Sequence, residues 1–424
     1  MAAPVGNASG DETYNPVPAS PLPGVDGVYS PTSEMPLMKG FMARFTQAID
    51  ENNSMFEISL MLKDAVDQAK AVSDLIPVER TIGEFERERY IQMVQLLHYV
   101  HPLMLKAIAR GTLAYEHENN PAFRDQYQYN AKTVPGTYAV SVSINGRGGK
   151  FLNQRELERL AEYIDEYGDA AEAFHKKGEW DAMRNIDHAE HMGFVDMVDS
   201  KLSGSSSKVG NSAPRFAPAP GTAKNLRELA EMFRRRIDAT LPSADDVRED
   251  FQIQAPVMIG CTSEAIWEGT EHHEPKFLKD RPLSPTAGSL QSTTPTWALT
   301  LSILAVMGMK FKVVRVAALA IFDLKDLSRS EILLTTVAQS LVWQTGFNII
   351  QGGGQYDPKA KKPGYTEEKD VCSKRNFLRV NLNATCQRIQ QLRNNLEIRK
   401  ILQGLNLNDL DQEICQLHKL FKNI

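Results

Sequence analysis

The sequence predicts an α-rich α+β fold in which a small mixed β-sheet module is flanked by helical regions. Along most of the chain apolar residues recur at three- and four-residue steps, which is typical of amphipathic helices. Only short stretches near residues 138, 258, 313 and 348 have the alternating or continuous apolar pattern of strands. With 424 residues, 42% of them hydrophobic, the chain is long enough to form two or three compact domains.

Composition excludes several classes of protein. The 48 basic and 53 acidic residues give a net charge of -5, so the whole chain offers no electrostatic attraction to nucleic acid or an anionic membrane. The four cysteines are spaced singly, which favours a reducing compartment. The most apolar stretch, residues 297–322, contains Lys310, Lys312 and Arg315 and therefore predicts buried core rather than a membrane span. Because no secretory signal pattern precedes it, we expect a cytoplasmic or nuclear protein with no membrane partner.

The N-terminal third divides into two regions. Residues 1–40 contain seven prolines together with Gly, Ser and Asp, so we expect a disordered tail. Residues 41–134 form a helical region, because apolar residues from Phe45 onward follow the helical period. Thr81 and Glu84 have the spacing of a capping box and predict the start of a second helix there.

The remaining chain is expected to contain the sheet module and a helical extension. Residues 135–202 supply its first strand and following helices, because the segment before Asn145 alternates apolar and small residues. Residues 203–222 are rich in Ser, Gly and Pro and predict a flexible linker or loop. Residues 223–355 supply the remainder of the module, and residues 356–424 form a basic helical C-terminal extension.

One ordered set of residues carries a family resemblance. Gly136, Thr137 and Tyr138 begin a predicted strand, and Met258, Ile259 and Gly260 end another. A segment with His272, a helix with Glu331, and Asn348 follow in that order. This order resembles a GIY-YIG nuclease domain. The resemblance implies metal-dependent phosphodiester hydrolysis, with a divalent cation such as Mg²⁺ held by Glu331. The catalytic residues that it implies are Tyr138, His272, Glu331 and Asn348.

The pattern also departs from that family at two positions. Met258 stands where the second motif has a tyrosine, and Glu268 stands where the family has a phosphate-clamping arginine. A carboxylate repels a phosphate, so the departures leave open whether the cleavage activity persists. Glu331 also has an alternative explanation as the partner of Ser328 in a capping box. Tyr138 could be an ordinary strand aromatic, His272 a solvated side chain, and Asn348 a strand-edge amide.

Other candidate sites are weaker. His188 and His191 lie three residues apart on a predicted helix and could share a metal in a metal-dependent hydrolase, but a solvated helix face is the favoured explanation. His98 and His101 lie at a helix end, where a cation meets the helix dipole favourably. The glycine-rich segments 145–150 and 352–354 could contact a phosphate, but neither matches a known phosphate-binding loop.

The C-terminal extension holds the strongest local charge. Between residues 373 and 405, seven basic residues face one acidic residue, Glu397. Such a helix could follow a DNA or RNA backbone, each phosphate contact adding salt-dependent affinity. Alternatively, its apolar face, which includes Leu392 and Leu396, packs on the module or on a partner helix. A smaller basic cluster, residues 234–236, has the same two interpretations. The predicted nucleic-acid-binding residues are Lys374, Arg375, Arg379, Arg388, Arg393, Arg399 and Lys400.

The sequence thus supports two functional hypotheses. The first is a nucleic-acid-associated protein with a divergent GIY-YIG-like module, which is a metal-dependent endonuclease if it is an enzyme at all. The second is a non-enzymatic regulatory or protein-interaction protein that acts through amphipathic helices. The two hypotheses make different structural demands. Only the first requires Tyr138, His272 and Glu331 to converge on one cleft.

Overall fold

The computed structural model describes residues 40–62, 65, 87–128, 134–177, 186–201, 213–237, 249–270, 273–275, 294–349, 366, 369, 371, 373 and 375–404. The predicted tail, the predicted capping box at Thr81, the glycines at 352–354 and most of the predicted linker lie outside these residues. So do His272 and Lys374, and the side chains of His188 and His191.

The predicted α-rich α+β class is confirmed. The helices before the first strand are α1 (Gly40–Asp50), α2 (Met55–Leu60), α3 (Arg87–His98), α4 (Pro102–Arg110), α5 (Leu113–Asn119) and α6 (Pro121–Gln128). After it come α7 (Gln154–Lys177), α8 (Ile186–Lys201), α9 (Ala223–Arg235), α10 (Ile266–Gly269), α11 (Pro295–Val306), α12 (Leu327–Ala338) and α13 (Asn376–Gly404). Among the described residues no helix is both long and apolar enough to cross a membrane.

Three strands form the sheet: β1 (Gly136–Ile144), β2 (Met258–Thr262) and β3 (Phe311–Ala320), in the order β2-β1-β3. Both pairings are antiparallel, so the described sheet is not mixed as predicted. Tyr138 lies opposite Gly260 on one side and Ala317 on the other. The strand predicted near residue 348 is not part of the sheet. Asn348 forms only an isolated bridge with Leu341.

Helices cover both faces of the sheet. Alternate residues of a strand point to opposite faces, and here each set enters a different hydrophobic cluster. Tyr138, Val140 and Val142 pack with α7, α9 and α11, whereas Ala139 packs with α12 and with the helices of residues 41–123. The N-terminal helical region therefore packs on the same sheet as the module. Because β1 is buried along its whole length, its side chains are part of the core.

Helix α13 is attached to this body by its first half only. It contacts α2 and α3, and Asn381 and Thr385 are buried there. Every side chain from residue 391 to residue 400 is exposed. The second half of α13 therefore extends beyond the part of the body that the structure describes.

Candidate functional site

Tyr138 is held in the core by a buried hydrogen bond. Its hydroxyl oxygen lies 2.9 Å from Nε2 of His273, and the backbone carbonyl of His273 accepts a hydrogen bond of 3.0 Å from the Trp297 indole. Burial above all, together with the nearby carboxylate of Glu331, raises the pKa of Tyr138 above its ordinary value. The histidine that contacts Tyr138 is thus His273, and the predicted His272 lies outside the described residues.

The basic residue closest to Tyr138 along the paired strands belongs to β3. Arg315 lies opposite Val140, the next residue of β1 on the Tyr138 face. Its guanidinium is 3.2 Å from the Glu274 carboxylate and stacks on the Trp267 ring at 4.3 Å from the ring centre. Arg315 therefore has an acidic partner already, and nothing in its local sequence marked it as part of this cluster. Glu268, the residue at the family's arginine position, is exposed on α10.

Glu331 lies on the other face of the sheet. It belongs to α12, and its Oε2 accepts a hydrogen bond of 3.2 Å from the Cys261 thiol. Burial, reinforced by this carboxylate, raises the pKa of Cys261, so the thiol stays protonated at neutral pH. The neighbouring Ser330 hydroxyl pairs with Thr137, whose side chain points away from the Tyr138 face. Tyr138 and Glu331 are consequently separated by the sheet itself.

The predicted capping box of Ser328 and Glu331 is wrong. A short 3₁₀ turn, Leu324–Asp326, leads directly into α12, so the helix already begins at Leu327. Ser328 is then inside the first turn, and the N-cap residue is Asp326, which makes no side-chain capping bond. In the described structure Glu331 contacts Cys261. Among the described residues no group of three or more His, Cys, Asp or Glu side chains could hold a metal ion.

Asn348 pairs with the free edge of β2. Its side-chain oxygen accepts a hydrogen bond of 3.0 Å from the Ile259 N–H, and its side-chain nitrogen donates one of 2.7 Å to the Ile259 carbonyl. The amide thereby replaces the backbone of a further strand and covers an edge that would otherwise have unpaired groups. The strand-edge interpretation of Asn348 agrees with this geometry. Tyr138, Glu331 and Asn348 thus occupy two faces and one edge of the sheet and do not converge.

The glycine-rich loop at residues 145–150 is closed by its own contacts. Arg147 forms two hydrogen bonds with the Glu156 carboxylate, of 2.6 and 2.7 Å. Glu156 in turn accepts from the backbone N–H of Asn153, and the Asn153 side chain accepts from the Glu156 N–H. These bonds satisfy the N-terminus of α7, where a phosphate would have to bind. The loop has a structural role.

His101 caps a helix as a neutral side chain, contrary to the cationic role predicted for it. Its Nδ1 accepts a hydrogen bond of 3.1 Å from the Leu103 N–H at the start of α4. Its ring meets the Phe377 ring of α13 edge-on, with 4.8 Å between centres. Burial lowers the pKa of His101 to about 4. Protonation would remove the acceptor and would place a charge in this buried contact between α4 and α13.

Acidification is therefore expected to destabilise the protein through His101. The pKa of His101 is lower in the folded chain than in the unfolded chain. The contribution of the neutral side chain to stability is therefore complete above about pH 6.5 and is lost as the pH falls toward 4. We expect this loss to be roughly 2–3 kcal/mol. The variant His101→Asn keeps a capping oxygen that does not titrate. Urea unfolding at pH 7 and pH 4.5 should show a smaller loss for this variant, and equal losses would contradict the assignment.

The structure divides the predicted nucleic-acid-binding residues into three groups. Arg375 is buried, donates to the Ala320 carbonyl and lies against the Phe322 ring, so it cannot contact a phosphate backbone. Arg388 is 2.5 Å from the Glu57 carboxylate, and Lys400 is 2.9 Å from that of Glu397. The residues whose side chains are exposed with no ion pair in the described structure are Arg379, Arg393 and Arg399.

Leucines are the other exposed feature of α13. Leu382, Leu392 and Leu396 are 46%, 40% and 53% exposed. Together with the half-buried Ile389 they lie within about 80° of one another around the helix, at 100° per residue. We call these four residues the leucine stripe. It overlaps the edge of the face that docks on α2 and α3, since Leu392 lies between Asn381 and Thr385 around the helix, and it continues past the point where contact with the body ends.

Comparisons of this chain with protein-family models, curated proteins and solved structures find no match. The likeness to GIY-YIG nucleases is therefore carried only by the few residues described above.

Proposed function

We propose that this chain is a non-enzymatic interaction protein that binds an acidic amphipathic helix of a partner protein through α13. The observation that carries the proposal is the leucine stripe, which is exposed on a helix whose first half is fixed to the body. Of the two hypotheses from the sequence, this one matches the geometry better. The nuclease hypothesis needs Tyr138 and Glu331 in one cleft, whereas the sheet separates them.

The fixed half of α13 gives the helix a defined direction. The Asn381 amide donates to the His98 carbonyl at 3.0 Å, the Thr385 hydroxyl is 2.9 Å from the His98 ring, and Arg388 pairs with Glu57. A helix held in this way has already lost much of the conformational freedom that binding would otherwise remove. The exposed half is thus preorganised to contact another surface.

The spacing of the stripe suits a second helix. Ile389, Leu392 and Leu396 follow one another at steps of three and four residues, the spacing at which side chains of one helix enter the gaps of another. Exposed apolar rows of this kind are the usual anchors of helix–helix recognition. A partner helix would remove these leucines from water, and the transfer of apolar surface would drive association.

The basic side chains beside the leucine stripe favour an acidic partner. Arg399 continues the three- and four-residue steps of the stripe, and Arg393 and Lys400 flank it, with Glu397 as the one acidic side chain. In a parallel pair of two α13 helices, Arg399 would face its own copy across the seam, which is repulsive. A partner with Glu or Asp beside its apolar residues would pair with these cations instead. A parallel pairing with a second copy is therefore disfavoured, and the proposed occupant is an acidic amphipathic helix.

Binding of a labelled model helix to the full chain tests the proposal. The probe is a fluorescein-labelled peptide with Leu at the a and d positions of each heptad and Glu at most others, measured by fluorescence anisotropy. We expect Leu392→Asp with Leu396→Asp to weaken binding about tenfold or more, because both anchors are lost. Ile398→Asp is the matched control, since Ile398 is 52% exposed on the opposite side of the same helix. Its affinity should change by less than about twofold.

Two results would overturn the proposal. One is equal weakening by the stripe variant and by Ile398→Asp, which would mean that the stripe is not the contact. The other is failure of the peptide to bind while a DNA duplex binds in a salt-sensitive manner that Arg393→Gln weakens. That second result would favour the nucleic-acid hypothesis. Circular dichroism of each variant verifies that α13 remains helical.

A further inference from the structure

The chain itself contains a segment with the chemistry proposed for the partner of α13. Residues 405–424, here called the C-terminal segment, follow α13 directly and lie outside the described residues. Their sequence places Leu410, Ile414, Leu417 and Phe421 at steps of four, three and four residues, which predicts an amphipathic helix. In such a helix these four side chains would lie within about 60° of one another, at 100° per residue. We call them the C-terminal row.

Acidic residues flank this row on both sides. In the predicted helix, Asp411 and Glu413 would lie within about 60° of the edges of the row, one on each side. The described half of the pair carries the opposite charge, since Arg393 and Arg399 are exposed beside the leucine stripe. The two surfaces are therefore complementary in charge as well as in apolar spacing.

The length of the connection suits a hairpin of two helices. Helix α13 ends at Gly404, and five residues separate this glycine from Leu410. Antiparallel helices are commonly joined by loops of about two to five residues. At 1.5 Å per residue, the helix from Leu410 to Phe421 would span about 17 Å, as does α13 from Ile389 to Lys400. The C-terminal row and the leucine stripe thus match in length.

An antiparallel arrangement also brings opposite charges together. The first turn of the C-terminal segment would lie beside the last turns of α13, so that Asp411 and Glu413 approach Arg399. Arg399 would repel its own copy in a parallel pair of α13 helices, whereas here it faces acids. The hairpin therefore satisfies the charge on α13 that a parallel pair does not.

We propose that the C-terminal segment docks on the leucine stripe of its own chain and competes there with the partner helix. This competition rests on the function proposed for α13, since both concern the same stripe. A short tether holds the segment at a high effective concentration beside the stripe. A partner helix must displace it, so only the fraction of molecules with a free stripe binds and the apparent affinity falls.

Amide hydrogen exchange of the full chain, without any peptide, tests the docking. We expect the amides of residues 410–421 to be protected, and Leu392→Asp with Leu396→Asp should reduce that protection about tenfold or more. Ile398→Asp, on the opposite side of α13, should leave it unchanged. Protection that persists on dilution of the chain shows that the contact forms within one molecule.

Competition is tested by changing the C-terminal segment. Leu417→Asp with Phe421→Asp removes two residues of the C-terminal row, and the labelled acidic peptide should bind this variant about fivefold more tightly than the wild type. Gln412→Asp with Gln416→Asp is the matched control, because it adds the same two charges on the opposite side of the predicted helix. Its affinity for the peptide should differ from that of the wild type by less than about twofold.

Three results would overturn this inference while leaving the function proposed for α13 intact. The first is peptide binding at the stripe in a chain whose residues 410–421 are unprotected. The second is an equal peptide affinity in the wild type and in Leu417→Asp with Phe421→Asp. The third is protection of residues 410–421 that disappears on dilution, which would mean that the segment docks on a second copy.

The opposite failure has a different signature. If the peptide binds neither the wild type nor Leu417→Asp with Phe421→Asp, the function proposed for α13 is overturned. Protection of residues 410–421 that still depends on Leu392 and Leu396 would then support docking of the segment alone.

Discussion

Replacing Gly136 by alanine is expected to lower the free energy of unfolding by about 3 kcal/mol, the upper end of the usual cost of overpacking. A Cβ atom at this position would lie 2.7 Å from Cδ1 of Ile266 and would run into the carbonyl oxygen of Leu319. The second obstacle is backbone of β3 and cannot move aside as a side chain could. Urea unfolding of the purified chain gives the measurement.

Gly168→Ala is the matched control. Gly168 lies inside α7, and the nearest atom to an added Cβ is 3.8 Å away, at Cβ of Leu226. Alanine there should stabilise the protein by about 0.5–1 kcal/mol, because glycine is unfavourable within a helix. Similar unfolding free energies for the two variants would mean that β1 and β3 do not approach each other as closely as described.

Gly260 has the same kind of explanation. An added Cβ would lie 2.6 Å from Cζ of Tyr138, whose ring is fixed by its bond to His273. The two glycines that suggested a nuclease motif are therefore required by the packing of three adjacent strands. Their presence in the sequence is accounted for without catalysis.

Replacing Asn381 by leucine is expected to release α13 from the body. Asn381 is buried, and its amide is the donor to the His98 carbonyl at the end of α3. Leucine keeps the volume but leaves this carbonyl buried without a partner, which costs about 1–3 kcal/mol. The population of the undocked helix should then rise by roughly 5–150-fold. Limited trypsin digestion, followed by mass spectrometry, would show faster cleavage after Arg379 and Arg388.

Asn383→Leu provides the comparison for that experiment. Asn383 is exposed on the same helix, so leucine there makes the same change in helix propensity but breaks no buried hydrogen bond. Its cleavage rate should match that of the wild type. Equal acceleration in both variants would show that the Asn381 contact does not hold α13 in place.

The fold was predictable where the signal was local. The alternation before Asn145 and the apolar run after Lys310 correctly located β1 and β3, because a strand buried on one or both faces requires such patterns. The strand predicted near Asn348 failed, because its apolar neighbours pack in the core while only its side chain reaches β2. The capping box at Ser328 failed, because a preceding 3₁₀ turn moved the helix start.

The candidate site was predictable only in part. The leucine stripe is visible in the sequence, since its members are close neighbours along one helix. Whether each basic side chain is ion-paired could not be predicted, because pairing depends on residues far away in the sequence: the Glu57 that pairs with Arg388 is 331 positions away. Likewise, nothing in the sequence distinguished His273 from His272 as the neighbour of Tyr138.

Amide hydrogen exchange of the full chain, with and without the acidic model peptide, tests the central claim most directly. If α13 receives a partner helix, peptide binding should protect the amides of residues 389–400 and leave those of β1 and β2 unchanged. Protection confined to the sheet around Tyr138 and Gly260, or binding of the peptide without protection of α13, would contradict the account.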